Sequence, residues 1–195
     1  MNEAEDAPVS TELNRWKRLS DAVRRLGASE RGVTLIEFAL VFPIMLVLFI
    51  GMVEFGEAFS VSRKINNAAS TVADLVSQEN SVTNARLADI ATVANEIIKP
   101  YRAAPFSLRI ISVVADENNA RVNVAWTYPE NAAAVGQEYT DLPSTAMTEA
   151  NSSLIVTETS YAFTPSVGYF IGSITLNGIA YFRPRMTQAV AKAAE

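Results

Sequence analysis

Apolar positions recur along this chain with different spacings, and each change of spacing marks a part. From Phe38 to Val53 the residues FALVFPIMLVLFIGMV form an unbroken run of 16 without a charge. Extended back to Val33, the run has 21 residues and a single acid, Glu37. As a helix it spans about 31 Å, close to the thickness of a bilayer's hydrocarbon core. The helical pattern continues beyond it. Val61, Ile65, Ala68, Ala69, Val72, Leu75 and Val76 keep one apolar stripe. The spacing predicts one helix over 34–78, about 67 Å long. Pro43 lies inside it, where a missing N–H and a ring clash are expected to kink or loosen the helix. Gly51 and Gly56 are weaker points of the same kind. Glu79–Thr83 reads as a turn. A second amphipathic helix follows over 84–99, with Leu87, Ile90, Ala91, Ala94, Ile97 and Ile98 on one face, and Pro100 ends it.

The period then shortens to two. Ser107–Ala115 reads as a strand with apolar residues on both faces, and Asp116–Asn119 as a polar turn. Arg121–Tyr128 alternates, with Val122, Val124, Trp126 and Tyr128 on one side. Pro129–Glu149 is a looser stretch rich in Ala, Thr and Pro. Ser153–Phe163 and Ser173–Arg183 read as two further strands, the latter containing Asn177-Gly178, which fits a hairpin turn or a bulge. Thr187–Glu195 is a short Ala-rich tail. The predicted class is α+β. It combines a long N-terminal transmembrane helix continuing past the membrane, a second short helix and a small antiparallel sheet of about four strands. Trp126, Tyr128, Tyr161 and Tyr181 read as sheet core. The parts divide as a leader over 1–32, an anchor over 33–56 and an α+β domain over 57–195.

Charge gives these parts an orientation. Residues 1–32 carry six basic and six acidic residues, so the whole net charge of −5 falls in residues 33–195. Six Lys/Arg precede the apolar run within 20 residues, namely Arg15, Lys17, Arg18, Arg24, Arg25 and Arg31. Only Arg63 and Lys64 follow it at the same distance. The positive-inside rule then expects a cytoplasmic N-terminus and, in a bacterial inner membrane, a periplasmic C-terminal domain. Leu13, Trp16, Leu19, Val23 and Leu26 sit at helical spacing among the basic residues. Either a short helix on the inner leaflet or a solvated basic leader fits them. Two rivals to a membrane anchor fit the sequence less well. A buried core helix needs more surrounding mass than this chain offers. A cleaved secretory signal needs a small-x-small site that Glu54-Phe-Gly-Glu-Ala-Phe-Ser does not supply.

Composition narrows the chemistry. The chain has no cysteine and no histidine, which removes disulfides, thiolate ligands and the commonest general base and metal ligand. No Gly-rich phosphate loop or metal-ligand spacing stands in it, and the acidic balance gives no reason to expect nucleic acid. The sequence therefore predicts no enzyme, no metal and no cofactor. A Ser–Lys hydrolase is the one familiar covalent design left, and Ser62 and Lys64, two apart on a helix, do not share a face.

The feature that carries a function is Glu37-Phe38, an acid inside an apolar helix. A carboxylate costs roughly 2.5–3.5 kcal/mol at the centre of a bilayer and less near its surface. Two readings stand on physics alone, a functional acid or a glutamate shallow enough to be solvated. The surrounding residues add more. Arg31-Gly32, four residues, Glu37-Phe-Ala-Leu, Pro43 in the apolar run, Gly51 and then Glu54-Phe-Gly56 together resemble the start of TadE/TadG-like proteins. These are minor pseudopilins and assembly factors of the tight-adherence (Flp) type IV pilus apparatus. Asn66-Asn67-Ala68-Ala69 and Arg183-Pro184-Arg185 look like family features too. The strong resemblance covers roughly 31–70, and the exterior part looks more like the TadE branch.

The resemblance implies that Gly32 precedes a prepilin-peptidase cut, that Val33 becomes the new N-terminus, and that Glu37 is the recognition and assembly acid. It implies as partners other pilin or pseudopilin subunits, the Tad secretion platform, the prepilin peptidase and the bilayer. A Val33 amine one turn from Glu37 would let one subunit pair with Glu37 of a neighbour and set their axial stagger. Glu54 and Glu57 fit either partner contacts or, more simply, a solvated membrane boundary. The runner-up function is a membrane-tethered periplasmic binding or sensing module without a pilus role.

Overall fold

The computed structural model describes residues 16–18, 20–22, 24, 30–102, 104–118, 121–144 and 147–193. Of the leader, residues 16–18, 20–22 and 24 are helical and exposed, Trp16 among them. Leu13, Leu19, Val23 and Leu26 of the expected amphipathic stripe lie outside the described residues. The chain divides into two compact units, 1–52 and 53–195.

Helix α1 runs Glu30–Ser77, close to the span expected from the periodicity, and its helical hydrogen bonding continues through Pro43. The short strand β1, Ser81–Val82, stands in what the sequence suggests is only a turn. Helix α2, Asn84–Ile98, begins where the Thr83 side chain accepts from the Arg86 N–H. That satisfies one of the four amides a helix start leaves unpaired. It ends at Lys99, whose backbone is extended ahead of Pro100, as the clash of a proline ring with the preceding residue requires. The strands β2, Phe106–Ala115, β3, Val122–Tyr128, β4, Ser153–Phe163, and β5, Ile174–Phe182, form one antiparallel sheet in the order β3-β2-β4-β5. Strand β6, Ala191–Lys192, pairs in parallel with β1.

One face of the sheet carries the helices. Alternate residues of β4 (Ile155, Thr157, Thr159, Tyr161, Phe163) point to them, as the two-residue period of a strand dictates. Val61, Ile65, Ala68, Ala69, Val72, Ala73 and Val76 of α1 are fully buried, and Leu87, Ile90, Ala94 and Ile98 of α2 join them. The apolar stripes read from the sequence are thus the packed faces. The other face is not left to solvent along its whole length. Ile111, Val113, Val122, Val124, Leu154 and Val156 pack beneath Ala133, Tyr139, Leu142 and Met147, so the stretch after β3 serves as a second cover. The Tyr139 hydroxyl donates to Glu158 Oε1 at 3.0 Å. Burial, then the Glu158 charge, push its pKa above the usual phenol range.

Two expectations change here. Asn177-Gly178 neither turns a hairpin nor makes a bulge; β5 pairs with β4 in unbroken register from Ile174 to Phe182. The irregularity falls instead in β2 against β3, between Ser112 and Val113. The Ala-rich tail is not a loose end. It supplies β6, buries Val190, and gives the Val190 carbonyl to the Trp126 indole N–H at 2.8 Å. Of the aromatics expected in the core, Trp126 and Tyr161 are buried while Tyr128 and Tyr181 are half-buried.

Candidate functional site

The N-terminal unit presents an apolar helix with no covered side. From Val33 to Met52 every large apolar side chain of α1 but the half-buried Ile50 is exposed, with Leu40 70% and Met52 77% exposed. A helix apolar on every face is a buried or membrane helix, since water would not tolerate it. By length and composition it is the one described helix able to cross a membrane. Gly32 and Val33, the two residues of the expected cut, are consecutive positions of this helix, Gly32 buried and Val33 exposed. Glu37 lies four residues on, exposed, and makes no ion pair among the described residues. Phe38 stacks on Phe42, one turn later, with ring centroids 5.5 Å apart. Pro43 follows, within the same helix.

The C-terminal unit begins with a contrasting acid. Glu54 directly follows the uncharged run, and its side chain is fully buried. Its Oε1 accepts the Tyr169 N–H at 2.6 Å, and its Oε2 accepts those of Phe170 and Ile171, each at 2.9 Å. One turn later Glu57 accepts the Ser166 N–H at 3.2 Å and the Ser166 hydroxyl at 2.8 and 3.0 Å. Both partners lie on the loop between β4 and β5. Gly168 takes a left-handed φ of 69° just before the three donors, and this turns successive amides into a concave anion-holding nest. The simpler sequence reading, two solvated boundary acids, is therefore corrected for Glu54. Its carboxylate is enclosed, with its oxygens bound more than 110 residues away along the chain. The sequence did hold a signal for the clasp. The loop segment Pro165–Gly172 sets two glycines around exposed aromatics, a composition that suits neither strand nor core.

Other residues of α1 fix their partners as closely. Lys64 Nζ donates to the carbonyls of Ile97 at 3.2 Å and Lys99 at 2.7 Å, filling acceptors that the end of α2 leaves open. Asn66 faces Gly178 of β5; a Cβ on that glycine would stand 2.7 Å from Thr159 Oγ1 and 3.2 Å from the Asn66 backbone N. Arg185 pairs with Asp74 and its N–H reaches the Ser77 carbonyl at 2.8 Å, while Arg183 pairs with Glu149 at 2.7 Å. An open groove of about 590 Å³ lies on the face of the sheet away from the helices, lined by Arg109, Glu158, Ser160, Asn177 and Ile179. Its two charges are paired with each other. Among the described residues no group of three or more acids stands close enough together to hold a metal ion.

Along this same stretch of α1, residues 32–74 match the family model described as TadE-like protein. This segment is TadE-like. The match starts at Gly32, next to the expected cut, and contains Glu37, Pro43, Glu54, Glu57, Lys64 and Asn66. It thus runs from the apolar helix into the part of α1 that packs on the sheet. No curated protein and no solved structure matches the chain. Outside the TadE-like segment, only the chain's own geometry bears on the roles of its residues.

Proposed function

We propose that this chain is a minor pseudopilin or assembly factor of the Tad/Flp pilus system, held in the bacterial inner membrane by α1. The observation that carries the reading is the TadE-like match laid over an apolar helix with a single acid, Glu37, in its first turns. The coarser part, association with the Tad pilus machinery and a helix fit to cross a membrane once, follows from the match and from the helix's length and composition. The finer part rests on chemistry. An apolar surface exposed on every side offers van der Waals packing to neighbouring helices, and a lone carboxylate within it gives a partner amine one place to pair. The protein then acts by binding and packing, without turnover. Its partners are other pilin-like subunits, the secretion platform and the prepilin peptidase, and its C-terminal domain lies in the periplasm.

The test is the intact mass and N-terminal sequence of the membrane-extracted chain, from cells with and without their prepilin peptidase. The expected result is a chain starting at Val33 only when the peptidase is present. A full-length chain in both strains would remove the pseudopilin assignment and leave an uncleaved assembly factor.

A further inference from the structure

The loop clasped by Glu54 carries apolar side chains that its own domain does not cover. Val167 is 56% exposed, Tyr169 69% and Phe170 45%, and the last two rings meet edge to face at 4.9 Å. A loop that served only to join β4 to β5 would gain nothing from them. The backbone of these same residues is bound to Glu54, the first residue after the uncharged run. The loop is therefore held to the residue at which the uncharged run of the sequence gives way to charged ones. On α1 itself Phe55 and Phe59, just past that residue, remain exposed, and the Arg63 guanidinium stands 6.0 Å from the Phe59 ring centre. Aromatic rings with an arginine reaching past them are what a membrane–water boundary selects, since such side chains place an apolar body in lipid and a polar tip in water.

We propose that the loop around Val167, Tyr169 and Phe170 is a second membrane contact, a foot that enters the headgroup and upper acyl region beside α1, with Glu54 and Glu57 holding it to the helix. The inference rests on reading α1 as the anchor. The occupant is lipid because the loop is bound to the residue that directly follows the uncharged run and carries no charge from Thr164 to Ser173. The foot fixes the height of the C-terminal domain above the bilayer, and Glu54 and Glu57 are positioning residues for it.

The full chain has no cysteine, so one introduced cysteine labels one place. Nitroxide labels at Tyr169→Cys, at Phe49→Cys within the apolar run, and at Val135→Cys, exposed on the second cover of the sheet, are placed in vesicles of phosphatidylcholine and phosphatidylglycerol. Collisions with oxygen, which concentrates in lipid, are compared with collisions with a water-soluble nickel chelate. The expected oxygen-to-nickel ratio at 169 lies roughly threefold or more above that at 135, as for a group at the acyl boundary. Glu54→Gln, which loses one acceptor oxygen and turns an amide toward donors, should bring the ratio at 169 down toward that at 135 and leave 49 unchanged. In a Trp16→Phe background, where Trp126 is the one tryptophan, its emission checks that this variant is folded; the three labels with native Glu54 test the foot without it. If 49 reads as lipid while 169 reads as water, the foot is wrong and the anchor stands. If 49 also reads as water, the anchor reading fails and the foot with it. If 169 is shielded from both reagents, and only at high protein-to-lipid ratio, the loop meets a neighbouring subunit and the lipid assignment is overturned.

Discussion

Gly178 limits how near α1 and the sheet lie, and it does so by having no side chain. Its neighbours on the helix side are the Asn66 backbone and Thr159 Oγ1, and that hydroxyl is already committed to the Ile65 carbonyl at 3.1 Å. A methyl group at 178 has to displace either a buried hydroxyl from its bond or a turn of helix. Ala69 and Ala73 of α1 pack against Ala180, two residues further on β5, so the seam next to Gly178 is built of small residues. Gly178→Ala should cost about 1–3 kcal/mol, the range for overpacking a tight core. Urea unfolding of the detergent-solubilised chain carrying Trp16→Phe, which leaves Trp126 as the one tryptophan, measures it by emission; a midpoint equal to that of the parent chain would show that the seam can open without cost. The sequence hid this role because Asn-Gly is also the commonest signature of a tight hairpin, and only the neighbouring helix decides between the two. Glu54 was hidden for a related reason. An acid at the end of an apolar run looks solvated unless its acceptor load is known, and its three donors lie 115 to 117 residues further on.

At the level of elements, β6 does more than its two residues suggest. The tail that carries it buries Val190, accepts the Trp126 indole N–H, and pairs with β1 through the Ala193 N–H to the Val82 carbonyl at 2.9 Å. Lys192 Nζ reaches the Thr127 carbonyl at 3.2 Å. Removing residues 187–195 deletes the buried Val190 side chain, whose burial is worth about 1.5–3 kcal/mol, and strands the Trp126 indole donor, worth about 1–3 kcal/mol. The truncated chain should therefore lose roughly 3–6 kcal/mol in the same urea titration, and a loss below about 1 kcal/mol would mean the tail is ornamental. The long elements were legible beforehand because each carries many repeats of one period. The stripe on α1 from Val61 to Val76, the face of α2 from Leu87 to Ile98, and the strand limits of β4 all follow from spacing within the element. Two-residue strands have no period to read. β1 and β6 exist only because the tail returns to the segment between α1 and α2, and the stretch after β3 covers the sheet through Ala133, Tyr139, Leu142 and Met147, too irregularly spaced to announce a face. The candidate site divides in the same way. Gly32, Val33, Glu37 and Pro43 are legible as a local pattern, whereas the clasp at Glu54 is a contact between distant segments.

For the whole molecule, the division into units places Glu54 and Glu57 with the C-terminal body, since that body starts at Val53. The first turn of this unit carries charged side chains whose partners all lie on the β4–β5 loop, so the clasp should belong to the domain's own stability and not to the bilayer. Two soluble chains separate these possibilities. One comprises residues 53–195 and keeps both acids; the other comprises 58–195 and begins after them. Trp126 is the one tryptophan in either, and it is 5% exposed, so its emission reports unfolding in both. In the shorter chain the Ser166 and Tyr169–Ile171 amides lose their acceptors and must turn to water, which frees the loop while leaving the stripe from Val61 to Val76 on the sheet. Local opening is set by the contacts a segment makes, so the loop should respond more than the body. The expected outcome is a lower melting midpoint for 58–195 and cleavage within 164–172 by a broad-specificity protease roughly tenfold faster or more. Equal midpoints and equal cleavage rates would mean that the acids do not hold the loop in the absence of lipid. In that case the membrane would hold the loop in place, and the clasp would form only once the aromatics were already seated.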